Sequence, residues 1–255
     1  MTSAPFDPAT FVGEVEEAAR AGGWAFHYLS PCATSTRPWF QRAEPGAPRF
    51  YLSAGIHGDE ISGPLAVLKM LRTPDFFRGF DVTIFPILNP DGLAQGTRAN
   101  PQGIDLNRDY KNTKSEEIRS HKEAIETMAP FGAAMYLHED FEGIGAYLYE
   151  LNDSLLSPTL GADIIAAMSA YVPIDERPVI EDVAATRGVL LRRDIIRKHG
   201  PIEDRPDWPE AIYLSMRHTQ VSFTTETPKP FPIENRVNAQ IAAVRTVLQA
   251  LAAHP

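Results

Sequence analysis

Gly55-Ile56-His57-Gly58-Asp59-Glu60 sets a histidine and a carboxylate three positions apart, on what reads as a strand-to-helix turn. An imidazole nitrogen and a carboxylate oxygen so spaced can converge on one cation. Zinc accepts both donors at ~2.0–2.2 Å, and a catalytic zinc keeps a fourth position for water. The same residues also suit an ordinary helix start, with Asp59 and Glu60 at the positive end of the helix dipole. The flanking glycines favour a site, because they let a ligand or substrate approach the backbone closely. A third donor is needed. His138 closes the apolar run Ala133-Ala134-Met135-Tyr136-Leu137, where a strand-end ligand belongs. His27, His121, His199, His218 and His254 compete for the role, but none follows such a strand so directly. Between the two half-sites, the stretch from Arg98 to Asp109 holds Arg98, Asn100, Asn107 and Arg108 in an irregular context. A guanidinium is a rigid fork matched to a carboxylate, so the stretch suits recognition of anionic oxygen, with a solvated loop as the alternative.

The elements that must position these residues alternate between strand and helix signals, which predicts an α/β sheet layered with helices. Strands are expected over 24–29, 49–56, 81–88, 133–138, 146–151 and 221–225. Helices are expected over 61–71, 115–128, 160–171 and 233–253, the first with Ile61, Leu65, Leu68 and Leu71 at helical spacing. Asn89-Pro90-Asp91-Gly92 reads as a turn by composition. The stretch 175–209 is the least regular, rich in proline and charge, and is expected to cover the sheet edge or the mouth of the site. The candidate polar residues fall at or just past strand ends, where open α/β sheets bind their ligands.

The bulk numbers narrow the class. A chain of 255 residues fits a single α/β domain, expected over 1–255. With 44% apolar and 22% charged residues it has an ordinary globular composition. A net charge of −9 supplies no global field for nucleic acid or an anionic membrane, so neither is expected as a partner. Cys32 is the single cysteine, which removes intramolecular disulfides and cysteine-based zinc clusters; any metal must be held by histidine and carboxylate. The first residues carry no basic start and no apolar run, and no stretch reaches the ~20 apolar residues of a membrane span. A cytoplasmic location is the expectation.

Taken in order, the segments carry more than each does alone. Gly-x-His-Gly-Asp-Glu, Asn-Pro-Asp-Gly, Arg-x-Asn-x-x-Gly-x-Asp-Leu-Asn-Arg, a strand-end His138 and Phe223-Thr-Thr-Glu226-Thr-Pro together resemble the zinc carboxypeptidase family, its compact bacterial members in particular. The similarity covers residues 49 to about 140 and returns at 221–228. It implies a mixed, mostly parallel sheet of about eight strands sandwiched by helices. It implies one zinc per chain held by His57, Glu60 and His138, with Glu226 as general base and acid. Arg98 would polarise the scissile carbonyl, and Asn107 and Arg108 would hold the terminal carboxylate of the substrate.

The chemistry is coherent, since zinc on two imidazoles and a carboxylate lowers the pKa of bound water toward 7. A carboxylate at Glu226 could then take the proton and pass it to the leaving amine. Glu139-Asp140, directly after His138, departs from many peptidases of the family. These two residues either orient the histidine or build a second metal site. Secreted digestive members also carry a mobile tyrosine; Tyr213 is the nearest upstream of Glu226 but falls in an expected helix, so no role is carried to it. Arg187, Arg192 and Arg193 could reach the pocket or form a solvated face.

Three functions compete. The first is a peptidase or peptide amidase acting on a small peptide next to a free carboxylate. The second is an N-acyl amino acid deacylase resembling the succinylglutamate desuccinylase and aspartoacylase branch, which shares the ligand pattern and the Asp-Leu-Asn-Arg segment. The third is a non-catalytic binding protein on the same scaffold. Arg98-x-Asn100-x-x-Gly103 tips the reading toward the first; oligomeric state is not legible.

Overall fold

The computed structural model describes residues 6–32, 35–152 and 156–254. In chain order the elements are α1 (Pro8–Ala21), β1 (Ala25–Cys32), β2 (Ser35–Arg42), β3 (Arg49–Ala54), α2 (Ser62–Leu71), β4 (Asp81–Phe85), α3 (Pro90–Gln95), α4 (Glu116–Glu126), β5 (Ala133–Asp140) and β6 (Tyr147–Asn152). They continue with α5 (Leu160–Met168), β7 (Val179–Ile180), β8 (Val183–Thr186), β9 (Val189–Leu191), α6 (Arg192–His199), α7 (Glu210–Arg217), β10 (Val221–Pro228) and α8 (Ile233–Ala252). The strands form one sheet in the order β1-β2-β4-β3-β5-β10-β6-β9-β8-β7. It has ten strands among the described residues, not about eight. Beyond the six strands expected from local patterns, the sheet gains β2 and the short β7, β8 and β9 within 175–209. That stretch does not cover the sheet edge but supplies its strands, while Glu181, His199 and Arg205 within it line the cavity. The sheet is mixed: β4, β3, β5 and β10 run parallel at its centre, and β6 and β9 form a further parallel pair toward one edge.

Side-chain alternation makes the sheet a partition. From β3 and β5, Phe50, Leu52, Met135 and Leu137 face a core shared with α1, α2, α5 and α8. Tyr51, Ala134 and Tyr136 face a second core, filled by Phe85, Tyr110, Ile118 of α4 and Leu214 of α7. Covered on both sides, the central strands read as apolar runs, which is why they were legible. α7 is fastened to the sheet by its first residue. The buried Glu210 carboxyl accepts from Tyr51 Oη at 2.6 Å and Ser53 Oγ at 2.9 Å. Burial pushes it up to about 7, against the two hydrogen bonds, so it carries little charge in mildly acidic solution. Tyr51 Oη also meets His121 Nε2 at 2.9 Å, whose Nδ1 meets Tyr110 Oη at 2.7 Å.

Two elements differ from the sequence reading for local reasons. The 8–21 stretch is a helix, capped by Asp7, which accepts from the amides of Ala9 and Thr10, with Pro8 at its first turn. Asn89-Pro90-Asp91-Gly92 does not merely turn; Asn89 accepts from Gly92 N–H at 3.0 Å and starts α3. Among the described residues no helix is long and apolar enough to cross a membrane.

Gly58 explains why this stretch and the His57 turn meet. A Cβ there would lie 2.1 Å from the carbonyl carbon of Gly92 and 2.4 Å from the carbonyl oxygen of Thr97, both backbone. The glycine beside His57 therefore serves the approach of the protein's own chain, rather than the approach of a substrate that the sequence suggested. Gly58→Ala is expected to cost at least about 1–3 kcal/mol, the usual penalty for overpacking. Gly13→Ala, on an exposed position of α1 with nothing within 4 Å of the added carbon, is expected to stabilise by about 0.4–1 kcal/mol. Urea unfolding of the two variants checks both signs; a Gly58→Ala protein as stable as the parent would contradict the close approach.

Candidate active site

β3 ends at Ala54, and the turn beyond it carries His57 and Glu60. β5 carries His138 near its C-terminal end. His57 Nδ1 lies 2.5 Å from Glu60 Oε1, and His138 Nδ1 lies 2.9 Å from Glu60 Oε2. All three side chains are buried, and their donor atoms lie within 4.8 Å of one another. The Glu60 carboxyl is held well below the ordinary carboxylate range: burial would raise it, but the charges of the two imidazoles prevail. A buried carboxylate between two imidazole nitrogens thus asks for positive charge at their common point, which a divalent cation supplies while the imidazoles stay neutral. The donor set fits a metal. Among the described residues it is the one cluster of three or more such side chains close enough to hold one.

Surrounding groups orient these donors. Asp105 Oδ1 lies 3.3 Å from His57 Nε2, a contact of the kind that fixes an imidazole ring whose other nitrogen is a metal ligand. Its Oδ2 accepts from Arg98 Nε at 3.0 Å, and Arg98 Nη1 lies 3.6 Å from Glu60 Oε1. Behind the sheet, Gln240 of α8 donates to the His138 carbonyl at 2.8 Å and accepts from Thr225 Oγ1 at 2.5 Å. Glu139 and Asp140 part company. Glu139 turns to the α8 side, pairs with Arg236 Nη1 and accepts from Ser62 N–H at 2.9 Å. Asp140 accepts from Tyr147 Oη at 3.2 Å. Neither carboxylate meets an imidazole of the triad.

The register of β10 decides the position of Glu226. It stands beside His138 on the parallel neighbour and beside Tyr147 of β6 on the antiparallel one, so all three side chains leave the same face. Glu226 is half-buried at the cavity wall. Burial pushes its carboxyl up to about 8, with Glu60 and Asp140 adding and His138 and Arg98 opposing. Asn107 lies in a short 3₁₀ turn, Leu106–Arg108, and its Oδ1 accepts from the Glu210 backbone N–H at 2.9 Å. That bond leaves the Asn107 amide group as a donor. The adjacent Arg108 donates through Nη1 to the Asn107 carbonyl at 2.8 Å.

All seven residues singled out in the sequence, His57, Glu60, Arg98, Asn107, Arg108, His138 and Glu226, line one cavity of about 690 Å³. Tyr213 does not; its ring packs on Tyr110 at 5.5 Å. Arg187, Arg192 and Arg193 are also absent from the cavity wall, which His199 and Arg205 reach instead. Residues that the sequence reading left unassigned are Asp105, Tyr147, Tyr149, Glu210 and Gln240. Asp105 lay within a quoted motif; the others carry no local signal, because sheet register and helix packing bring them in.

Comparison with known proteins agrees with this geometry. The family model for the succinylglutamate desuccinylase/aspartoacylase catalytic domain matches residues 46–142. Carboxypeptidase 2 of Trichophyton tonsurans is 23% identical over 239 residues, covering 75% of this chain and 43% of its own. Murein peptide amidase A of Escherichia coli K12 is 38% identical over 86 residues, covering 33% of this chain and 34% of its own. The chain therefore spans less than half the length of these curated relatives. Among solved structures, a candidate metallopeptidase of Shewanella denitrificans OS217 superposes with a TM-score of 0.82 at 21% identity, covering 96% of this chain and 91% of that one. The ordered motifs, the His57–Glu60–His138 convergence and the relatives point the same way: the chain resembles the zinc carboxypeptidase family and, over residues 46–142, the succinylglutamate desuccinylase/aspartoacylase catalytic domain.

Proposed function

We propose that this protein is a zinc-dependent hydrolase that cleaves a peptide or amide bond next to a free carboxylate, as a metallocarboxypeptidase or peptide amidase. The 255 residues act as one catalytic domain on a small peptide substrate. The observation that carries the reading is the register that stands Glu226 beside His138, a carboxyl at the wall of the cavity into which the metal-binding triad faces. His57, Glu60 and His138 would hold the zinc, which when bound supplies a Lewis acid for water and for the scissile carbonyl.

The chain's own groups do the rest. Glu226 takes the proton of the attacking water and passes it to the leaving amine. Arg98, half-exposed and fixed through Nε by Asp105, points Nη1 toward the triad and stabilises charge developing on the carbonyl oxygen. The free amide group of Asn107 and the guanidinium of Arg108 hold the substrate carboxylate. The match of residues 46–142 to the desuccinylase/aspartoacylase model favours a second reading, an N-acyl amino acid deacylase with the same residues in the same roles. Arg98-x-Asn100-x-x-Gly103 favours the peptidase. A panel of short peptides and acyl amino acids, with free and amidated C-termini, separates the two.

One zinc per chain is expected by elemental analysis of the purified protein. His57→Ala is expected to lose it; a variant that kept full zinc would remove His57 from the ligand set, and two equivalents in the parent would require a second site. Glu226→Gln keeps the shape of the side chain but cannot accept the proton. It is expected to keep zinc and substrate while kcat falls by at least ~10²-fold. Near-native turnover would assign the base elsewhere.

Arg108→Lys tests carboxylate recognition. A guanidinium can grip both carboxylate oxygens, while an ammonium on a shorter stem cannot. Losing one charge-assisted hydrogen bond, worth about 1.5–3 kcal/mol, raises KM for acid substrates by roughly 10-fold to 100-fold. Matched amides should lose little. Equal losses on acid and amide would make Arg108 structural.

A further inference from the structure

Asn107 and Arg108 account for only one part of the cavity wall. Next to them the wall is built from the chain after α6, and that chain is stitched to the residues following Arg108. Tyr110 N–H donates to the Trp208 carbonyl at 3.3 Å, and Asn112 Nδ2 to the Pro206 carbonyl at 3.2 Å. Lys111 Nζ donates to the carbonyls of Glu203 at 3.0 Å and Arg205 at 2.5 Å. These bonds fix the backbone from which the Arg205 side chain enters the cavity wall.

Arg205 itself is half-buried there. Its guanidinium is oriented from behind. Nε and Nη2 donate to the Gly200 carbonyl at 3.4 and 3.2 Å, and Nη2 reaches the Ile195 carbonyl at 3.4 Å. Among the described residues Nη1 makes no hydrogen bond and no carboxylate lies within ion-pair distance of the group. A half-buried guanidinium hydrogen-bonded only by long carbonyl contacts, with the Asp207 charge acting on it from beyond ion-pair distance, has no anion in direct contact.

The neighbourhood reinforces the point. His199, at the end of α6, lines the same cavity. Burial and the charges of Arg205, Lys198 and Arg108 hold its imidazole below the ordinary histidine range, against Asp182. The carboxylates closest to the chemistry are committed elsewhere: Glu60 to the imidazoles, Glu210 to Tyr51 and Ser53, Asp140 to Tyr147. Asp207 and Glu181 also line the cavity; the Asp207 charge acts on Arg205, but among the described residues neither carboxylate comes within ion-pair distance of it.

We propose that Arg205, with His199 beside it, is a specificity-determining residue that reads a second anionic group on the substrate, so that the residue released carries an acidic side chain. The inference rests on the reading of Asn107 and Arg108 as the holders of the first carboxylate. A side-chain carboxylate meets the unused Nη1 edge of Arg205, and its neutral amide counterpart does not gain the charge-assisted contact.

The experiment compares peptides identical except for a C-terminal glutamate, glutamine or lysine, on the zinc-loaded protein. Glutamate is expected to be preferred over glutamine by on the order of 10-fold to 100-fold in kcat/KM, carried mostly by KM. Arg205→Gln should bring that ratio close to one, Arg205→Lys should keep part of it, and Arg205→Glu should turn the preference toward lysine. An inversion of this kind cannot come from a structural role alone. Calorimetric binding of glutarate and of its monoamide to the same proteins reads the ratio without turnover. If no peptide is cleaved but glutarate binds more tightly than its monoamide in the parent and not in Arg205→Gln, the hydrolase reading fails and this inference stands. Equal treatment of glutamate and glutamine where cleavage occurs, equal binding of the two ligands where it does not, or a ratio unmoved by Arg205→Gln overturns it.

Discussion

The Glu60 carboxylate, buried between two imidazole nitrogens, sets the terms for the rest of the structure. Removing a carboxylate from water is tolerable only when positive charge and hydrogen bonds replace the lost hydration. Both of its oxygens are therefore satisfied, by His57 and by His138, and Glu139 N–H adds a third contact at 3.2 Å. Those donors come from two separate parts of the chain. β3 and β5 must lie side by side, in a register that brings the turn after one to the C-terminal end of the other. The close backbone contact of Gly58 with Gly92 and Thr97 pins that turn from a third direction.

The sheet then divides the work between its faces. On one side, α2 and α8 hold β5 from behind, through Ser62, Arg236 and Gln240 acting on Glu139 and on the His138 carbonyl. On the other, α4 and α7 press the tyrosine-rich layer against β3 and β5 and leave a cavity at the strand ends. Glu210 joins two duties. Its side chain anchors α7 to Tyr51 and Ser53, and its backbone N–H fixes which end of the Asn107 amide is presented to the cavity. A single buried acid thereby couples the packing of a helix to the polarity of the wall that would meet a substrate.

How much of this could be read in advance follows from how local each signal is. The central strands were legible because both faces are covered and the apolar runs are continuous. β7, β8 and β9 were not. They are two to four residues long, and both of their hairpins are made by paired residues of positive φ, Glu181-Asp182 and Arg187-Gly188, the first without the glycine or asparagine that usually marks such a turn. The missed α1 had a clear Asp7-Pro8 start. Asn89-Pro90 was recognised as a turn where it is a helix cap, since asparagine and proline serve both purposes.

The sequence by itself determined the chemistry on offer: two histidines, a glutamate at ligand spacing, and a carboxylate and arginines in a recognisable order. Those identities are fixed by residue type and short spacing, which no folding can alter. Only the tertiary structure decided which groups meet. Glu226 reaches its place by the register of β10, Asp105 by the path of a loop, and Glu210 by the docking of α7. Arg205 faces the cavity where Arg187, Arg192 and Arg193 do not, because the chain after α6 is hydrogen-bonded to residues 110–112. Contacts between residues about a hundred positions apart depend on strand order and helix packing, and neither leaves a mark in the local sequence.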